Sequence, residues 1–120
     1  MNEGKGGLLY FDSVRVILEQ EKGRKTTMDY IVLDMEWNQA LDHTQVVRRP
    51  IFLNGEIIQI GAVKLNEGFE IIDLFQCRVV PQHYTTLHPG VAEITKLTDA
   101  DLRKGELFCD AFDAFCRFLK

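Results

Sequence analysis

The sequence predicts one α/β domain, a three-stranded antiparallel meander followed by helices, with a helical appendage at its N-terminus. Three observations carry that expectation. Apolar, β-branched runs stand at "DYIVLDMEW", "EIIQIGAVKL" and "FEIIDLFQCRVV", with turn-forming residues between them. The apolar period then lengthens to that of a helix over the last third, ending in a Phe-rich stripe. Finally, 120 residues with 46% hydrophobic and 27% charged side chains suit one soluble core and not two.

In chain order, "MNEGKGG" is polar and glycine-rich and leads into "LLYFDSVRVILEQEKGRK". There Phe11, Val14, Ile17 and Leu18 recur at helical spacing, which predicts an amphipathic helix. Residues 1–27 are therefore expected to be an appendage and residues 28–120 the domain proper, with Met28 an alternative start. After the first strand, "NQALDHTQVVRRPIFLNG" is rich in turn formers and reads as a loop reaching a surface site, closed by the hairpin signal Asn54-Gly55. The next two runs, joined by "NEG", read as antiparallel neighbours. "HPGVAEITKLT" predicts a short helix starting after Pro89, and Thr98 is the expected N-cap of another turn. From Glu106 onward, Leu107, Phe108, Ala111, Phe112, Phe115, Phe118 and Leu119 mark one apolar helix face.

A formal net charge of -4 argues against nonspecific binding to a polyanion, while leaving room for a nucleic-acid site built on metal ions and a local basic patch. Cys77, Cys109 and Cys116 are odd in number and lack C-x-x-C spacing, so neither a disulfide framework nor a zinc site is expected. No apolar run approaches the ~20 residues of a membrane span, and the N-terminus lacks the basic-then-apolar order of a secretory signal. The expectation is a cytoplasmic protein with no membrane partner.

Asp34 and Glu36 carry the chemistry. In a strand, alternate residues share a face, so these two carboxylates occupy one small space while Met35 points away. Their repulsion is relieved by solvation, a raised pKa, a basic neighbour or a divalent cation. The pair ends a strand that is apolar on both faces, and no adjacent Lys or Arg neutralises it, which favours metal or catalytic use. A glycosidase pair is disfavoured, because two acids this close leave no room for a sugar.

The series "IVLDMEWNQ", "EIIQIGAVKL", "FQCRVVP", "HPGVAEITKLTDADL" and an aromatic helix resembles the DEDD (DnaQ-like) 3'-5' exonucleases of the ribonuclease H-like fold, over Met28 to Lys120. The resemblance implies that Asp34 and Glu36 are the first two of four acidic ligands holding two Mg²⁺ or Mn²⁺ ions, and so catalytic. Hard oxygen donors suit such ions, and a two-ion site activates water and stabilises the leaving 3' oxygen. It further implies that Trp37 and Asn38 line the pocket for the terminal nucleotide, partly through backbone groups. Ile94, Thr95 and Leu97 match the stretch that packs on terminal bases, with Lys96 where the family commonly has glycine.

The family pattern continues with a third acid on a later helix and a fourth acid preceded by a histidine or tyrosine that acts as general base. Neither motif is among these residues; Asp110 and Asp113 fit an exposed helix face better. The expected fold class is thus a truncated ribonuclease H-like exonuclease fold, inactive as an isolated chain. Its open sheet edge would be covered by further chain, by the N-terminal helix or by a second copy in a homo-oligomer. The expected partner is the 3' end of single-stranded RNA or DNA; the alternative is a noncatalytic nucleic-acid-binding or oligomerisation module on the same scaffold. Arg48 and Arg49 sit in the loop where a phosphate backbone could run, although such pairs are more often solvated. His43, His83 and His88 have no ligand-set spacing.

Overall fold

Four strands make one antiparallel sheet in the order β1-β2-β3-β4 in this computed structural model, which describes residues 14–19 and 28–120. The strands are β1 (Val14–Glu19), β2 (Met28–Asn38), β3 (Glu56–Leu65) and β4 (Ile71–Arg78). Three helices follow: α1 (Pro89–Thr95), α2 (Asp99–Arg103) and α3 (Phe108–Leu119). The meander β2-β3-β4 falls where the β-branched runs predict it, and α1 and α2 start at their cap signals, while α3 follows Leu107 with no side-chain cap. Pro89 occupies the first turn of α1. Thr98 and Asp101 form a reciprocal capping box on α2, each side chain accepting from the other's backbone N–H.

Strand alternation sorts the sheet into two faces. In register, Leu33 lies opposite Ala62 and Ala62 opposite Phe75, while Met35, Ile60 and Cys77 form the next row. α3 covers this face: Ala111 and Phe115 pack with Leu33, Ile60, Phe75 and Val79. The Phe75 ring stands 5.7 Å from Phe115 and 5.4 Å from Phe118. Lys64 finishes the helix by donating to the Phe118 carbonyl at 2.7 Å, a cation against unpaired C-terminal carbonyls. The other rows, Asp34 opposite Gly61 and Glu36 opposite Gln59, face the opposite way.

Between Glu36 and Trp37 the register slips, leaving Ile58 without a partner on β2. This bulge turns Ile58 into a second core with Leu87, Leu97 and Leu102, against which Val91 and Ala92 of α1 pack. The ends of the two cores meet at Gly105, where a Cβ would stand 2.6 Å from the Val80 nitrogen; only glycine lets Glu106 bond to Arg78 and Val80.

Two expectations are corrected. The helix predicted over the N-terminal appendage is, from Val14 to Glu19, a strand pairing antiparallel with Met28–Leu33; Phe11 lies outside the described residues. Val14, Val16 and Ile17 are stiff β-branched residues, and the hydrogen-bonding edge of β2 satisfies their backbone where helical spacing alone decides little. The edge expected to be open is consequently paired over Met28–Leu33, with no pairing on that side from Asp34 to Asn38 among the described residues. The second correction is Asn54-Gly55, which makes no tight hairpin: the β2–β3 connection is closed instead by a bridge between Val47 and Leu53.

Candidate metal and nucleic-acid site

β2 delivers Asp34 and Glu36 to the sheet face away from α3. Asp34 is 8% exposed, and its Oδ1 is buried with no hydrogen-bond partner among the described residues. A buried carboxylate oxygen without a donor is costly, so the site favours either a proton or a cation. Burial raises the Asp34 carboxyl to about 6, partly opposed by the Met35 backbone N–H. Burial, and then the neighbouring Asp34 charge, raise Glu36 to about 7. Gly61 stands directly opposite Asp34, where a Cβ would meet only the Asp34 carbonyl oxygen, at 3.7 Å. Beside Asp34 the neighbouring strand therefore presents no side chain, while Gln59 stands opposite Glu36.

The donor set fits a divalent cation: two hard carboxylates on one face of β2, one with an orphaned oxygen, the Asp34 charge adding to burial in opposing ionisation of Glu36. Among the described residues no group of three His, Cys, Asp or Glu side chains gathers at one point, so Asp34 and Glu36 are the oxygen donors this part of the chain brings together. Asp110 and Asp113 belong to α3, on the other side of the sheet.

The remaining expected site residues divide. Trp37, which follows Glu36 in β2, is 47% exposed and presents a free aromatic surface backed by Gly55. Asn38 is fully buried and its side chain is occupied: Nδ2 donates to the carbonyls of Tyr84 (2.7 Å) and Thr86 (2.9 Å), and Oδ1 accepts from His88 N–H (2.9 Å). Its part is to fix the 84–88 segment against the end of β2. Ile94 is exposed at the end of α1, whereas Leu97 is buried in the second core. The Thr95 hydroxyl is tied to its own turn, donating to Val91 O and accepting from Leu97 N–H. Lys96 has φ 62° and ψ 16°, the left-handed conformation that a glycine adopts freely, so the backbone takes the path of a glycine with a lysine in place.

Sequence reasoning missed Glu56 and Tyr84. The Glu56 carboxylate accepts backbone N–H groups from Gln82, His83 and Tyr84 at 2.7 to 3.0 Å. The Tyr84 hydroxyl donates to Leu53 O at 2.5 Å and accepts from Val47 N–H at 3.0 Å. These contacts span 26 to 37 residues, so no local pattern announces them. Gly61 was detectable: a glycine inside a β-branched run signals close approach or needed space.

Comparisons with known proteins bear on the fold and on the family. Solved structures that it resembles include a full-length 3'-exonuclease (23% identity, TM-score 0.58), covering 91% of this chain and 29% of that one. A second is the nuclease domain of 3'hExo, a DEDDh family member, bound to rAMP (22% identity, TM-score 0.58, 92% and 44% covered). A third is a 3'-exonuclease recognising the 3' end of a histone mRNA stem-loop (23%, 0.58, 91% and 39%). At these identities the likeness establishes the fold, that of ribonuclease H-like exonucleases, and the chain spans less than half the length of each. No curated protein matches. The family model RNase_T, described as exonuclease, matches residues 23–120, the span that holds the acid pair, the meander and all three helices, and on that match the chain belongs to the RNase_T exonuclease family.

Proposed function

We propose that this chain forms part of a metal-dependent 3'-5' exonuclease site that removes nucleotides from single-stranded RNA or DNA ends. The observation that carries the reading is the coupled pair Asp34 and Glu36, with the partnerless buried oxygen of Asp34, within a span matched by the exonuclease family. Asp34 and Glu36 would hold Mg²⁺ or Mn²⁺, which supplies positive charge to lower the pKa of a water and to neutralise a scissile phosphate. The two carboxylates also set the working pH, because both must be ionised to bind a cation and Glu36 ionises only near 7. Trp37 offers a stacking surface for a terminal base, worth ~1–3 kcal/mol, and Ile94 an exposed apolar contact on α1. Asn38 and Glu56 hold the 82–88 segment so that this rim keeps its shape.

The two carboxylates that the described residues bring together supply too few oxygen donors for the two-ion chemistry of phosphodiester hydrolysis, so on this reading the 120-residue chain alone should turn over several orders of magnitude below an ordinary nuclease. Pairing of its sheet with further chain or with a second copy, along Asp34–Asn38, which has no partner on that side among the described residues, would bring more ligands to this face. The test is cleavage of matched RNA and DNA oligonucleotides with Mn²⁺ by a chain extended past Lys120. Stepwise loss from the 3' end, slowed by blocking the 3'-hydroxyl and abolished by Asp34→Ala, is the expected result. Internal cleavage, or activity indifferent to Asp34, would overturn the reading.

A further inference from the structure

The β2–β3 connection displays a small basic-aromatic arm on a rigid base. Leu53 N–H bonds to Val47 O at 2.8 Å, and the Tyr84 hydroxyl bridges the same two residues, so the base is clamped from both sides. The tip between them is Arg48-Arg49-Pro50-Ile51-Phe52, all exposed, with Ile51 67% and Phe52 59% accessible. The Arg48 guanidinium lies over the Phe52 ring, 5.7 Å from its centroid. Neither arginine has a carboxylate partner among the described residues, where Arg78–Asp101 is the one ion pair. Two free guanidiniums beside two exposed apolar side chains are unusual on a chain whose net charge is -4.

The arm also has a fixed relation to the acids. Its C-terminal root passes Gly55, where an added Cβ would meet the Trp37 side chain at 3.5 Å, and Trp37 directly follows Glu36. Between the start of the β2–β3 connection and the 83–86 segment a cleft of about 180 Å³ is lined by Gln39, Leu41, Gln45, His83 and Thr86, among others. Side-chain amides, hydroxyls and an imidazole are suited to base edges and sugars, and none of them repels a phosphate.

We infer that the arm Arg48–Phe52 is a binding site for single-stranded nucleic acid upstream of the terminal nucleotide. This rests on the exonuclease reading. Arg48 and Arg49 contact successive phosphates, and Phe52 stacks on an unpaired base, the combination that sequence-tolerant single-strand binders use. A duplex does not suit it, since its bases are already stacked on one another and offer no free face to Phe52.

The test is equilibrium binding of the 120-residue chain to a short oligouridylate, by fluorescence anisotropy, between 50 and 200 mM salt. Each phosphate contact to a single strand contributes about 0.7 to the slope of log K against log salt, so Arg48→Ala with Arg49→Ala should lower that slope by about 1.4. The same double variant should weaken binding about tenfold or more at the low-salt end. Phe52→Ala should weaken it by about fivefold to 150-fold with the slope unchanged. Unaltered melting curves, expected for exposed positions, exclude misfolding as the cause. Equal affinity and slope for parent and double variant, equal binding of a blunt duplex, or no binding by the parent would each overturn the inference. Mn²⁺ titration of the same variants separates the two claims. Arm variants that bind Mn²⁺ normally yet bind RNA like the parent remove the arm alone. A parent that binds RNA through the arm, but binds Mn²⁺ no better than Asp34→Ala, removes the metal site alone.

Discussion

Replacing Asp34 by asparagine should make the metal-free chain more stable, and by an amount that grows with pH. The Asp34 carboxyl, ordinarily at 3.8, is held at about 6 in the fold. It therefore holds its proton more tightly when folded, so folding loses stability as the pH rises past 3.8 and has lost the full amount above about 6. The displacement corresponds to about 3 kcal/mol if the surroundings stay fixed, and to about 1–2 kcal/mol once water relaxes around the partly accessible site. Removing the charge also relieves the Coulombic part of the rise at Glu36. The assay is urea unfolding of parent and Asp34→Asn in EDTA at pH 4.5 to 8. The two chains should differ by about 1–2 kcal/mol at pH 8 and converge toward pH 4.5. Adding Mn²⁺ should stabilise the parent and leave the variant unmoved, reversing their order. Parent stability that is flat or rising from pH 5 to 8, or no gain from the substitution, would refute the view of the pair as an electrostatic liability kept for a cation.

Three substitutions test the framework around the site. Lys96→Gly should raise stability by about 0.5–1 kcal/mol in thermal melts, because glycine adopts the observed φ of 62° without a Cβ penalty while loosening the unfolded chain. Gly105→Ala should destabilise by about 2 kcal/mol or more, read as a lower urea midpoint, since the new methyl meets Val79 and Val80 backbone atoms at 2.6 to 3.1 Å. Asn38→Ala removes three hydrogen bonds from a fully buried position and should cost about 3 kcal/mol; amide exchange should speed up at His88, whose N–H it accepts.

What was legible in the sequence was local. The runs of β3 and β4 and the alternation that sets Asp34 beside Glu36 are properties of neighbouring residues, as is the Thr98 cap of α2. The strand at Val14–Glu19 was misread because its apolar residues satisfy helical spacing, and its state is decided by the edge of β2, which no window over residues 14–19 contains. Asn54-Gly55 has hairpin chemistry, yet Tyr84, reaching back to Val47 and Leu53, closes the connection elsewhere. Asn38 shows the same limit at the site itself: the family resemblance points to the position, while the buried bonds that occupy its side chain lie 46 to 50 residues away.

The central claim is that Asp34 and Glu36 hold a divalent cation, and Mn²⁺ titration calorimetry on the 120-residue chain at pH 7.5 tests it most directly. Binding should release protons, since Glu36, raised to about 7, still carries a fraction of one at that pH. The measured heat should therefore depend on the ionisation enthalpy of the buffer. Asp34→Ala and Glu36→Gln should each abolish binding. Affinity unchanged in both variants, or no Mn²⁺ uptake by the parent, would contradict the account.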